Sequence, residues 1–366
     1  MKYKGLSTIA AAAFLPLVAS AYDITTMSWD DIEQQAKKEG KVTFAVWYLQ
    51  PAWREYVKAF ENETGIKVRI PEGTFDGNTT KLLAETKRKS GSMDVVAIGA
   101  SKLKIFDAEN QFVNFNLLPD YAKLNTRLQG IESNGYAVGF WGNQTGLAYD
   151  PTRIDEAKLP QTFEELSAYV QANPKSFGVN DPNGGGAGGR FIQSTLQHFA
   201  PSDYTQEASE DVMKDWSRAW KWFHDNRDNL IITASNADSI TRINDGEIVI
   251  APAWEDHLAG LQKRGAIAER IKFYIPEFGM SGGGNFVVVP KNAKNLAASV
   301  YFVDWLTSPK TQSGLNAKFG SAPQHPDANA EAALVNASMR QNSTDSFGEE
   351  YDVESKKRFT REVLMK

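Results

Sequence analysis

The chain has 366 residues, no cysteine and a formal net charge of −5. Without cysteine there are no disulfides, no thiolate chemistry and no Cys-ligated metals. An acidic chain without a basic block gives a phosphate backbone nothing to grip, so nucleic acid is not an expected partner.

The N-terminus sets the compartment. Lys2 and Lys4 precede an apolar stretch from Ile9 to Val18, and Ala19-Ser20-Ala21 fits a small-x-small cleavage site. Residues 1–21 therefore read as a secretory signal peptide. The apolar run is too short to span a bilayer comfortably, and no second run is long enough. No Cys follows the cleavage site, so the pattern is not that of a lipid-anchored precursor. A periplasmic chain of 345 residues starting at Tyr22, with a net charge near −7, is expected, without a membrane span. That length suits two domains better than one core.

The elements alternate. Ser28 to Lys38 reads as a helix with Ser28 as N-cap, stopped by Gly40. Lys41–Tyr48 is a buried strand. Trp53, Tyr56, Val57 and Phe60 then share one helical face. Ile66–Ile70 is the second strand, Leu82 and Leu83 begin the apolar side of a helix, and Asp94–Ile98 is the third strand. This βαβ rhythm predicts an α/β fold with a mainly parallel sheet. Gly139–Tyr149 is extended and glycine-spaced, a crossover into a second lobe. Thr162 to Glu165 is a capping box. Asp181–Gly189 reads as a glycine-rich loop with a helix starting at Phe191. Val212, Trp216, Trp220 and Phe223 form the stripe of a long helix. Glu247–Ala251 and Phe286–Val289 are buried strands, and Leu296, Val300, Val303 and Leu306 line the helix after the latter. The tail beyond Gln324 is polar with a mixed-charge, helix-compatible end.

Enzyme signatures are missing. There is no nucleophile elbow, no His-Glu-x-x-His and no phosphate-binding glycine loop. Ser101 and Lys104 make a Ser-x-x-Lys without its companion motifs. His198, His224, His257 and His325 lack metal-ligand spacing. No catalytic residue, cofactor or metal site is expected.

Open α/β sheets bind ligands beyond the C-terminal ends of their strands. The polar and aromatic residues at such ends are Trp47 and Tyr48, then Asp76, then Ser101, then Trp141 and Asn143 at the crossover, then Trp254 and Glu255. Arg190, in the glycine-rich segment, offers a carboxylate or phosphate contact. Asn285 follows the glycine cluster Ser281–Gly284. These ten residues are the expected ligand site. Aromatic faces with a few carboxylates or amides suit a sugar ring or an ammonium group. Trp216 and Trp220, on a helical stripe, are expected core.

In this order the elements resemble the extracellular solute-binding proteins of ABC importers, nearest their spermidine/putrescine-binding branch. The resemblance rests on Phe60–Val68 (FENETGIKV), Trp141–Tyr149 (WGNQTGLAY), Asp245–Trp254 (DGEIVIAPAW), Pro276–Gly279, and the run from Phe286 to Ser308. It implies a two-lobe periplasmic-binding-protein fold of type II, mainly parallel sheets flanked by helices, with a cleft between lobes. It implies lobe one at 22–143 and 280–320, lobe two at 144–279, and a C-terminal segment, 321–366, packed against them. It implies capture of a small ligand by hinge closure and delivery to a cognate ABC permease, by a monomer. Asn285 stands where polyamine binders carry an Asp, and Gly282–Gly284 where they carry an aromatic. The ligand class therefore stays open between sugar or polyol, carboxylate or phosphorylated compound, and polyamine-like cation. The rival readings are a periplasmic hydrolase or lyase built on Asp76, Glu255 and Asp256, and a receptor presenting its ligand to a membrane sensor.

Overall fold

Alternating burial builds the first half of the fold. Strands β1 (Lys41–Ala45), β2 (Lys67–Arg69) and β3 (Val95–Gly99) pair in parallel, with β1 central. Val42 and Phe44 enter one hydrophobic cluster and Ala45 another; Val95 and Ala97 enter the first, Val96 and Ile98 the second. This period of two, apolar on both faces, belongs to a sheet covered on both sides. A computed structural model describes residues 22–336 and 338–365, so the expected signal segment 1–21 lies outside the described residues.

The chain then passes through a short hairpin, β4 (Arg127–Leu128) and β5 (Ile131–Glu132), into the long strand β6 (Val138–Tyr149). β7 (Phe177–Asn180), β8 (Leu230–Thr233) and β9 (Ile250–Trp254) form a second parallel set, with β9 antiparallel to β6. β10 (Lys272–Tyr274) also pairs with β6. β11 (Met280–Val288) returns to lie between β3 and β6, antiparallel to both, and β12 (Ser343–Thr344) adds to its start. The strand order is β2-β1-β3-β11-β6-β9-β7-β8.

Two strands therefore cross between two cores. Along β6, Val138, Phe140 and Trp141 belong to the first core, and Leu147, Ala148 and Tyr149 to the second. Along β11, Met280 belongs to the second, and Phe286 to Val288 to clusters flanking the first sheet. Between them, 142–145 and 281–284 supply no hydrophobic core residue. Hydrogen bonds hold these stretches together: Gln144 Nε2 donates to Met280 O at 2.8 Å and Thr145 Oγ1 to Ser281 O at 2.6 Å. The chain crosses again after Phe319, which packs in the first core, to reach Val335, Tyr351 and Phe359 in the second.

Local signals act as the sequence predicts at several helix ends. Ser28 Oγ accepts from Asp31 N and Gly40 takes φ +66°. Thr162 and Glu165 form a reciprocal capping box. Trp216 and Trp220 are buried in the second core.

Other expectations move. The predicted helix through Trp53 and Phe60 is two, Gln50–Tyr56 and Lys58–Thr64, although Trp53, Val57 and Phe60 are all buried as the shared face requires. The long helix of Val212 to Phe223 also divides, into Glu210–Lys214 and Ser217–Asp225. Leu82 is buried but Leu83 is exposed, because successive residues on a helix point about 100° apart. The strand expected at Glu247–Ala251 runs from Ile250 to Trp254, since its partner on β6 begins at Tyr149 opposite Ile250.

The largest shift is at the glycine-rich segment. A helix spans Gly186–Phe199, so most of the expected loop is helical and Arg190 lies in its second turn. A Cβ on Gly188 would sit 1.9 Å from the carbonyl oxygen of Asn180. The glycine lets this helix pack directly on the end of β7.

Candidate ligand-binding cleft

A cavity of about 850 Å³ opens where the two cores face each other across the crossing strands. Trp47 and Tyr48 reach it from the end of β1, and Phe75 from the start of helix Phe75–Glu85. Trp141 and Asn143 come from β6, and Gly283, Gly284 and Asn285 from β11. Arg190, Asn236, Trp254 and Asp256 come from helices and a strand end whose apolar residues pack in the second core.

The aromatic wall is a chain of edge contacts. Ring centroids lie 4.8 Å apart for Phe75 and Trp47, 5.0 Å for Trp47 and Tyr48, and 5.3 Å for Tyr48 and Trp141. Such tilted contacts leave ring faces open to a ligand. Tyr48 Oη accepts from Asn285 Nδ2 at 3.0 Å. Burial pushes the phenol well above its usual pKa, against that hydrogen bond, so it stays neutral.

The single carboxylate of the cleft is already engaged. Asp256 Oδ2 accepts from Trp141 Nε1 at 3.0 Å and from Asn143 Nδ2 at 3.4 Å, and Oδ1 accepts from its neighbour's backbone, His257 N, at 2.9 Å. Burial raises its pKa and the Trp141 bond opposes the rise. Trp141 is only 1% exposed, so its part is to position Asp256 rather than to offer a face. Asn143 Oδ1 is buried without a partner, an open acceptor for a ligand O–H or N–H.

Trp254 ends β9 and lies across both crossing elements. A Cβ on Gly186 would approach its indole to 3.3 Å, and one on Gly283 would come within 2.7 Å of its ring and 2.1 Å of Asn143 Oδ1. The glycine cluster before Phe286 thus makes room for these two side chains.

Seven of the ten residues anticipated from sequence line this cleft: Trp47, Tyr48, Trp141, Asn143, Arg190, Trp254 and Asn285. Three lie elsewhere, which corrects their placement. Asp76 is exposed in the first turn of its helix, while its neighbour Phe75 turns to the cleft. Ser101 faces an adjacent cavity of about 940 Å³, shared with Lys104 and Glu349. Glu255 is fully buried, and both its oxygens accept from Arg340 Nη2 at 3.0 Å. The three acids Asp76, Glu255 and Asp256 are therefore not brought together in the cleft. The sequence reading missed Phe75, Asn236 and Gln129, and the rim cations Lys263, Arg264 and Lys318. The strand-end rule pointed at neighbours of Phe75 and Asp256 but could not say which of two adjacent residues turns inward.

Burial lifts the Glu255 carboxyl to about 8, against the pull of Arg340. A carboxyl raised on folding holds its proton more tightly in the native state. Its stabilising share is complete below its usual value of 4.5 and is lost as pH rises through about 8. The melting temperature of Glu255→Gln should therefore fall less than that of the parent between about pH 5 and pH 8. Parallel melting curves across that window would remove Glu255 as a source of pH dependence.

Residues 55–340 match the bacterial extracellular solute-binding proteins. The chain belongs to that family. It is the solute-binding component of an ABC transporter, a class whose partners are a small-molecule ligand and a permease. This solute-binding protein is 24% identical over 328 residues to the putrescine-binding periplasmic protein SpuD of Pseudomonas aeruginosa, covering 79% of this chain and 80% of that protein. Its fold matches the GacH receptor of Streptomyces glaucescens with a TM-score of 0.67 at 16% identity, over 89% of this chain and 93% of that one. It matches the spermidine/putrescine substrate-binding protein PotD of Streptococcus pneumoniae with a TM-score of 0.65 at 15% identity, over 88% and 98%. Among the described residues, no helix is long and apolar enough to cross a membrane.

Proposed function

We propose that this protein captures a small polar solute in the cleft of Trp47, Tyr48, Asn143, Arg190, Trp254 and Asn285, by hinged closure of two lobes, and hands it to its permease without chemical change. The observation that carries the reading is the placement of the cleft at two crossing strands whose middle stretches, 142–145 and 281–284, belong to neither core. Rotation there leaves both cores intact, as hinge motion requires. Contacts from both lobes to one ligand favour the closed state, and only that differential affinity shifts the equilibrium.

The lobes are assigned to 22–143 with 280–320, and to 144–279. The C-terminal segment, 321–366, is assigned to the second lobe's flank. The membership of Tyr351 and Phe359 in the second core supports the last assignment. A monomer secreted to the periplasm through cleavage after residue 21 completes the reading. SpuD is named for putrescine, but the cleft here offers a single carboxylate among the described residues, and it already accepts from Trp141 and Asn143.

Thermal unfolding against polyamines, sugars, polyols, sugar acids and phosphorylated metabolites tests capture. A ligand that binds only the native state raises the melting temperature by mass action. One class should give a clear, saturable shift. No shift with any class, after ligand is stripped by unfolding and refolding, overturns capture in this cleft.

A further inference from the structure

The charges around the cleft are one-sided. Four cationic side chains line it, Arg190, Lys263, Arg264 and Lys318, against the single carboxylate of Asp256. Elsewhere the chain pairs its cations freely, as in Lys102 with Glu349 or Arg358 with Glu210. None of the four cleft cations has an acid within ion-pair distance among the described residues. Lys263 is spent on the backbone oxygens of Asn316 and Ala317. Lys318 lies 5.7 Å from the Tyr56 ring centroid and 5.6 Å from that of Phe319.

Arg190 is the most telling. Its Nη1 donates to Gln193 Oε1 at 3.0 Å, and Gln193 in turn donates to Asp352 Oδ1 at 2.7 Å. That chain holds the guanidinium in place and uses one of its five donors. Nε and Nη2 have no partner among the described residues. A half-buried guanidinium left with free donors at the wall of a cavity is a fork awaiting a planar or tetrahedral acid group. Its placement is one helical turn beyond Gly186, on which the Trp254 indole lies.

We propose that the cleft selects an organic anion, whose carboxylate or phosphate group is gripped by Arg190 and whose apolar or ring-shaped body rests against Trp47 and Trp254. This rests on the cleft being the ligand site. The exposed cations Lys263, Arg264 and Lys318 steer the anion inward, because clefts lined by one sign of charge focus the field on their mouth. A polyamine finds the opposite field, with its one possible counter-charge already bonded to Trp141 and Asn143.

The test is calorimetric titration of the stripped, full mature chain with benzoate and phenyl phosphate as anions, putrescine as cation and maltose as neutral probe. At least one anion should bind, and its affinity should fall as salt is added. Arg190→Gln should weaken that binding at least ten-fold, while Arg190→Lys, which keeps charge but not the fork, should retain part of it. The lysine variant also controls for misfolding, and both variants should melt cooperatively. Binding of putrescine or maltose with the anions silent overturns the anion class and leaves capture standing. Anion binding unchanged in Arg190→Gln overturns the role of Arg190. Silence of all four probes overturns the anion class, and native mass spectrometry of unstripped protein then separates the two readings. A retained small molecule preserves capture, and a bare mass removes it as well.

Discussion

Replacing Trp254 by alanine is expected to weaken ligand binding ten-fold or more, about 1.4 kcal/mol. The indole is large, ends β9, and lies against Gly186 of one lobe and Gly283 of a crossing strand. It therefore stands in the cleft between helix Gly186–Phe199 and the crossing strand β11. Truncation removes the widest ring face on the second-lobe side of the cleft and lets water into the centre of the site. Central aromatic anchors of this kind dominate binding energy, whereas rim contacts contribute little. The loss should appear mainly in the dissociation rate. Stability should change modestly, because the ring is half-buried rather than core. Titration with whichever probe binds the parent checks this. An unchanged dissociation constant would take Trp254 out of the site.

Asp94→Ala should destabilise the protein by roughly 3 kcal/mol or more, since each buried donor left unpaired costs about 1–3 kcal/mol. Asp94 is 2% exposed. Its Oδ2 accepts from Thr43 N at 2.8 Å and Asn295 Nδ2 at 3.0 Å, and its Oδ1 from Lys294 N at 3.1 Å and Asn295 N at 3.2 Å. These donors belong to β1 and to the entrance of helix Leu296–Thr307, whose apolar residues share the first core. One carboxylate thus joins stretches of chain some 250 residues apart, from Thr43 to Lys294. Asp94→Asn should lie between the parent and the alanine variant, because an amide accepts on one oxygen only. Urea unfolding gives the comparison, with a lower midpoint at unchanged slope as the expected signature. A loss below about 1 kcal/mol would mean water takes over the stranded donors.

Legibility in the sequence divides by what each signal depends on. Helix caps at Ser28 and Thr162, and the strands around Phe44, Ala97 and Val287, depend on neighbours in the chain, and they stand close to where the periodicity puts them. Trp47 was readable as a cleft-lining residue because it follows the C-terminal end of β1, whereas Trp141 and Asn285 lie inside the crossing strands β6 and β11 and line the cleft where those strands pass it. The reading twice landed one residue away from the cleft, at Asp76 beside Phe75 and at Glu255 beside Asp256. Both pairs open a helix, where adjacent side chains diverge by about 100° and only packing selects the one that turns inward. Glu255 went to Arg340, a partner 85 positions along that no local pattern announces.

The sequence alone was enough for the α/β class, the two-core length, the crossover at Gly139–Tyr149 and the family, because these follow from period, composition and the order of short motifs. Tertiary structure alone decided the character of the site. Lys263, Arg264 and Lys318 look like ordinary solvated cations in the chain, and become a one-sided field only when two helices from different stretches meet at the mouth of one cleft. Arg190 lies in a helix rather than a loop, and Gly188 permits that helix a close approach to the Asn180 backbone that sequence shows only as flexibility. The physical reason is the same in each case: propensity and periodicity act over a few residues, whereas charge and close contact act through space between residues that the fold alone makes neighbours.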